Sequence, residues 1–220
     1  MIDIIPWMDT FCQKLRHLFA DRLEFVGLQG SYARGEATDS SDIDVVVIMD
    51  TLTVSDLLHY RAMLDTLPHR ELVCGFVSGK EELLHWEPAD LVSFCFDTTP
   101  ILGRLDELQA KIQPDAVRRA IRLGAGNIYH ACVHNLIHEQ NMAIIKDLYK
   151  AAVFVIQAMY YLKTGIYIRQ TNQLKQVSDA SEKRLLALAQ SVKAGTAPEP
   201  LEQLSESLLQ WTQQVLSAYA

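Results

Sequence analysis

Apolar positions along this chain follow two rhythms, one helical and one extended. In residues 6–19, Trp7, Phe11, Leu15, Leu18 and Phe19 recur at helical spacing and predict a helix. Residues 23–28 then read as a strand, with Gly27 and Gly30 at its close. Residues 43–49, IDVVVIM, are apolar and β-branched almost throughout, as in a central strand covered on both faces. A helix is predicted over 52–67, with Ser55 and Asp56 near its start and Pro68 beyond its end. Residues 72–77 form a third strand candidate, and 79–86 begin another helix. Strands with helices between them predict an α/β or α+β unit built on a small sheet.

Beyond about residue 100 the strand signals fade. Pro114 is placed to start a helix reaching about Gln140, weakened in its middle by Gly124 and Gly126. Over 147–163, Leu148, Ala152, Val155, Met159 and Leu162 set a helical face that Val153, Phe154 and Ile156 widen, which predicts burial from several sides. Gly165 ends that helix, another is expected over 181–192 with Ser181 as its cap, and TAPEP (196–200) precedes a last amphipathic helix to about Tyr219. The fold class that follows is α+β. A small mixed-sheet domain over 1–105 is expected to precede an all-α helical bundle over 106–220.

Composition narrows the class. The 220 residues are 49% apolar and 21% charged, within the globular range, which excludes a disordered or fibrous chain. The longest apolar stretch, 151–159, is interrupted by Gln157 and is far too short to span a bilayer. The N-terminus has no secretory signal pattern, and Cys12, Cys74, Cys95 and Cys132 are widely spaced without a CxxC pair. A soluble, cytoplasmic protein with reduced thiols is therefore expected. Residues 1–100 carry 17 acids against 7 bases, whereas bases exceed acids in the remainder. With a net charge of −7, the chain lacks the basic surface that non-specific nucleic-acid binding requires.

Chemistry concentrates in GLQGSYARGEATDSSDIDVVVI, residues 27–48. A strand ends in Gly30-Ser31, and Asp42-Ile43-Asp44 opens the next strand. Alternation puts Asp42 and Asp44 on one face, about 7 Å apart along the chain. Two carboxylates so placed repel each other unless a cation lies between them. A hard, oxygen-ligated ion such as Mg²⁺, completed by phosphate oxygens, resolves the conflict. Gly30 permits close backbone approach, and Ser31 offers an N–H and a hydroxyl to an anion.

GSYARG followed by SDIDVVV resembles the signature of the polymerase-β-type nucleotidyltransferase superfamily, among its small GSxARG members. A nucleotidyltransferase domain followed by a helical bundle is the layout of the kanamycin nucleotidyltransferase-like enzymes. The resemblance implies transfer of a nucleoside monophosphate, AMP from ATP, to an acceptor hydroxyl, with loss of pyrophosphate. Gly30, Ser31 and Arg34 would then be nucleotide-binding, and Asp42 and Asp44 would be catalytic Mg²⁺ ligands. The implied partners are the NTP and a hydroxyl acceptor, a small molecule in preference to a nucleic acid, and by analogy a second copy in a homodimer.

The family adds a third carboxylate from a later strand. Here the only acid of 69–77 is Glu71, at the strand's beginning, with Val73 and Gly75 at the interior same-face positions. Glu71 serves as a catalytic residue if the strand starts early and is an exposed strand-end residue otherwise. In the second case a catalytically weak or inactive nucleotide-binding module of antitoxin or regulatory type becomes the alternative. A HEPN-type ribonuclease in the helical half is not supported, since the spacing of Arg122 and His130 does not fit. Of the remaining candidates, Glu139 reads as a surface glutamate and His130, His134 and His138 as a polar stripe between the two domains. Arg118, Arg119 and Arg122 read as a solvated face, and Tyr160, Tyr161 and Tyr167 as core and rim residues.

Overall fold

The computed structural model describes residues 2–39 and 41–220. They divide into two units, one of residues up to 87 with 94–111, the other of 88–93 with 112–220.

In the first unit, α1 (Ile4–Phe19) leads through a 3₁₀ turn to β1 (Leu23–Leu28), followed by α2 (Gly30–Arg34) and β2 (Ile43–Met49). Next come α3 (Val54–Leu64), a 3₁₀ turn (Arg70–Leu72), β3 (Val73–Gly79), α4 (Lys80–Leu84), α5 (Pro88–Asp97, of which 94–97 count with this unit), β4 (Thr99–Leu102) and α6 (Asp106–Gln109). The strands form a mixed sheet in the order β3-β2-β1-β4, with β2–β3 parallel and β1 antiparallel to both β2 and β4. The fold is α+β, and β1 and β2 coincide with the predicted strands.

β2 is central and buried at every position except Asp44, which is partly buried. Its odd-numbered residues Ile43, Val45, Val47 and Met49 pack with Val26, Leu28, Trp7, Phe11, Leu15, Tyr60 and Leu64. Asp44, Val46 and Ile48 therefore face the other side of the sheet. There Phe76, in register with Val46, meets Trp86 and Phe94 edge-on, with ring centroids 5.2 and 5.1 Å away. At the end of β2 away from Asp44, Arg22 donates to both carboxylate oxygens of Asp56, at 2.8 and 3.0 Å. The guanidinium and the Thr53 hydroxyl hold that carboxyl well below the usual carboxylate range. Asp56 and Thr53 also close a reciprocal cap at the start of α3.

The second unit is helical: α7 (Pro114–His134), a π-helical turn (Asn135–Glu139), α8 (Met142–Thr164), α9 (Thr171–Val177), α10 (Ala180–Lys193) and α11 (Leu201–Ala218). α7 runs unbroken through its glycines. Gly124 has a packing reason, since a Cβ there would come 2.6 Å from Val155 Cγ2 on α8. The cap of α10 is Asp179, which accepts from the Glu182 N–H while Glu182 accepts from the Asp179 N–H, so Ser181 is not the cap. Gln157 interrupts the apolar run of α8 because its amide is used. Fully buried, it donates to the carbonyls of Ile168 and Arg169 and accepts from Tyr167 Oη. Tyr149 Oη ties α8 to the Leu204 carbonyl at 3.0 Å.

Asn135, fully buried, fixes the connection between α7 and α8. Its Nδ2 donates to the Asn141 carbonyl at 3.2 Å, its Oδ1 accepts from the Asn141 N–H at 3.0 Å, and its carbonyl accepts from Gln140. Asn135→Ala removes the side-chain partner of the Asn141 N–H, while the Asn141 carbonyl still accepts from Ile145, and is expected to cost about 1–2 kcal/mol, read by urea denaturation.

Candidate active site

The site forms where β1 ends beside the start of β2. Leu28 pairs with Val45, the chain crosses Gln29, and α2 begins at Gly30 with φ +67°. The Gln29 N–H donates to the Asp44 carbonyl at 2.8 Å, which joins the turn to β2. A Cβ on residue 30 would overlap Asp44 Oδ2, so the Asp44 carboxylate lies directly against the bare α-carbon of Gly30. Only glycine satisfies both the left-handed φ and that approach. The first-turn N–H groups of Gly30 and Ser31 have no carbonyl within their own helix to bond.

Asp42 precedes β2 by one residue and is exposed; alternation puts it on the Asp44 side of the sheet. The structure thus brings together Gly30, Ser31 and Asp44 with Asp42 at the strand head. It places Glu71 differently. Glu71 lies in the 3₁₀ turn before β3, its side chain 73% exposed and 4.0 Å from His69 Nδ1. Val73 and Gly75 pair with Ile43 and Val45, so they belong to the core face. The residue that the ladder sets beside Asp44 is Cys74, an exposed thiol.

Arg34 closes α2 at the end opposite Gly30 and turns inward. Its Nη1 donates to Asp97 Oδ2 at 2.6 Å and its Nε to Glu36 Oε2 at 3.3 Å, with the Arg34 and Asp97 side chains 13% and 7% exposed. Gln29 Nε2 donates to Thr98 Oγ1 at 2.6 Å and to the Phe94 carbonyl at 3.1 Å. Sequence reasoning missed Gln29, Asp97 and Thr98. Pro88 followed by Leu91, Val92, Phe94 and Cys95 was the available sign of α5, the helix whose end they meet.

Among the other polar candidates, the His134 and His138 rings lie 4.8 Å apart and Tyr161 meets Tyr167 edge-on at 6.3 Å. His130, His134, His138, Glu139, Arg118, Arg119 and Arg122 are exposed, while Tyr160, Tyr161 and Tyr167 are partly buried. Among the described residues no group of three or more His, Cys, Asp or Glu is arranged to hold a metal. Mg²⁺ does not require one, because it is commonly held by one or two carboxylates, water and substrate phosphates. Asp42 and Asp44, with the uncovered Gly30 alongside, fit that donor set. No helix among the described residues is long and apolar enough to cross a membrane.

Residues 8–112 match the model of the nucleotidyltransferase domain family. A protein adenylyltransferase of Methanocaldococcus jannaschii, MJ1305, is 38% identical over 58 residues, which are 26% of this chain and 40% of that protein. The chain therefore spans less than half the length of that relative. Among solved structures, the spectinomycin adenyltransferase AAD(9) from Enterococcus faecialis, crystallised with ATP and spectinomycin, aligns at a TM-score of 0.57. The alignment covers 96% of this chain and 98% of that one at 16% identity, so it shows a shared fold.

Two glycines give opposite expectations. Gly30→Ala introduces a strained φ and displaces the Asp44 carboxylate, with an expected loss of about 1–3 kcal/mol. Gly126 lies within α7 with open space around its α-carbon, so Gly126→Ala is expected to gain up to about 1 kcal/mol. Denaturant unfolding of both variants beside the native chain reads the two signs.

Proposed function

We propose that this chain is an Mg²⁺-dependent nucleotidyltransferase that moves AMP from ATP to the hydroxyl of a small molecule. The single observation that supports this reading is the contact of the Gly30 α-carbon with the Asp44 carboxylate; in this reading the N–H groups of the turn bind phosphate and the carboxylate binds the metal. Residues 1–105 are the nucleotide-handling domain in this reading, and 106–220 the helical domain. ATP as donor is supported by the adenylyltransferases that the chain resembles, one of them crystallised with ATP.

The bound Mg²⁺ would supply charge neutralisation on the phosphate oxygens. The protein's share is positioning. Gly30 and Ser31 hold the outer phosphates through N–H groups and a hydroxyl, and Asp42 and Asp44 orient the metal-bound triphosphate. The acceptor oxygen then attacks the α-phosphorus, the bond to the bridging oxygen breaks, pyrophosphate leaves and the hydroxyl proton is released. The acidic excess of residues 1–100 favours a cationic acceptor.

A second reading has its own observation. Glu71 sits exposed on a turn and Cys74 takes the place beside Asp44, so a weak or inactive nucleotide-binding module is the alternative.

Calorimetric titration with ATP, with and without Mg²⁺, tests the shared premise. The expected result is Mg²⁺-dependent binding that falls about tenfold or more in Asp42→Asn/Asp44→Asn. Binding that ignores both the metal and the double substitution, or no binding of any NTP, overturns both readings. Pyrophosphate release with any hydroxyl acceptor of a broad panel selects the enzyme, and binding without release across the panel selects the module.

A further inference from the structure

We propose that Asp97 and Thr98 are positioning residues for nucleotide binding, acting through Arg34 and Gln29 on the turn between them. The inference rests on the reading of Gly30 and Ser31 as the phosphate-holding turn.

The turn is gripped at both ends by consecutive residues of one segment. At its start, the Gln29 amide donates to the Thr98 hydroxyl at 2.6 Å and to the Phe94 carbonyl at 3.1 Å. At its close, Arg34 donates to Asp97 at 2.6 Å. Thr98 is 1% exposed and itself donates to the Phe94 carbonyl, so its hydroxyl is oriented to accept from Gln29. Gly27 belongs to the same arrangement, because a Cβ there would meet Thr98 Cγ2 and the Phe25 ring.

Stability alone is a poor account of the Arg34–Asp97 pair. Burying two charges costs most of what their attraction returns, and apolar replacements of equal volume are often no less stable. A charged pair fixes direction where an apolar contact does not, since guanidinium and carboxylate meet in few orientations. The direction fixed here is that of α2, five residues long and too short to hold itself. Rigid backing of a binding turn raises affinity by removing the ordering cost from the binding step. Asp97, 5% exposed, is walled off from a ligand on the outer side of the turn and acts through Arg34.

The prediction separates the outer phosphates from the rest of the nucleotide. Asp97→Asn and Thr98→Val are titrated with Mg·ATP and with AMP, alongside far-UV circular dichroism to confirm folding. Mg·ATP affinity is expected to fall about tenfold in each, a change worth about 1.4 kcal/mol, while AMP affinity stays within about twofold. Asp97→Glu, which keeps the charge, is expected to recover most of the Mg·ATP affinity. Should Asp97→Asn not fold, Arg34→Met/Asp97→Leu restores the packing without the charges and carries the same expected loss. Folded variants that bind Mg·ATP like the native protein overturn the inference, as does a parallel fall for both ligands. A native protein that binds neither ligand instead overturns the functional reading on which the inference stands, and the two failures are told apart by the native titration.

Discussion

Everything at the candidate site depends on the absence of a side chain at residue 30. The Asp44 carboxylate occupies the volume where a Cβ would be, and the left-handed φ of Gly30 turns the chain there from β1 into α2. The Asp44 carboxylate and the start of α2 come close because one residue lacks a Cβ. The central strand makes that contact reproducible. With Ile43 and Val45 locked in the core on one face, Asp44 has only the other face to occupy.

The two units solve their polar problems by different means. In the first, charged pairs sit at both ends of the sheet, Arg22 with Asp56 at one and Arg34 with Asp97 at the other. In the second, buried amides and a phenol bond to backbone. Asn135 holds the α7–α8 connection, Gln157 the segment after α8, and Tyr149 the carbonyl of Leu204. A neutral amide satisfies a loop carbonyl without the desolvation penalty of a charge, which suits positions at 0–1% exposure. Bundle packing then proceeds through apolar faces, and Gly124 permits the close approach of α7 to α8.

Where local pattern decides structure, the sequence was readable. β1 and β2 appear at their expected residues, because a buried strand between glycine-rich and polar turns has little alternative. The approach of the Gly30 turn to Asp44 was legible for a related reason, since their spacing fits a strand–turn–strand element. β4 was not legible: TPIL is short, contains Pro100 and acquires strand form by pairing with β1. The neighbour of Asp44 was also hidden. Inter-strand register depends on the turn before β3, and shifting it by one residue exchanges Cys74 for Val73 or Gly75. The inward turn of Arg34 depends on Asp97, 63 residues away, and no local spacing announces such a partner.

The carboxylate count bears on how the proposed reaction would be driven. In the proposed reading Asp42 and Asp44 alone would hold the metal, leaving the rest of its ligation to water and phosphate oxygens. Metal affinity then rises when nucleotide is present, and nucleotide affinity rises with metal by the same factor, as linkage requires. The exposed thiol of Cys74 beside Asp44 adds no hard ligand for such an ion, and Glu71 on its turn stands away from the ladder. In the proposed reaction such a site would bind metal and triphosphate as one unit. It therefore relies on the rigidity of the Gly30–Arg34 turn where a richer set of carboxylates would position the metal in advance, and this is why the buried contacts of Gln29 and Arg34 matter to the chemistry proposed.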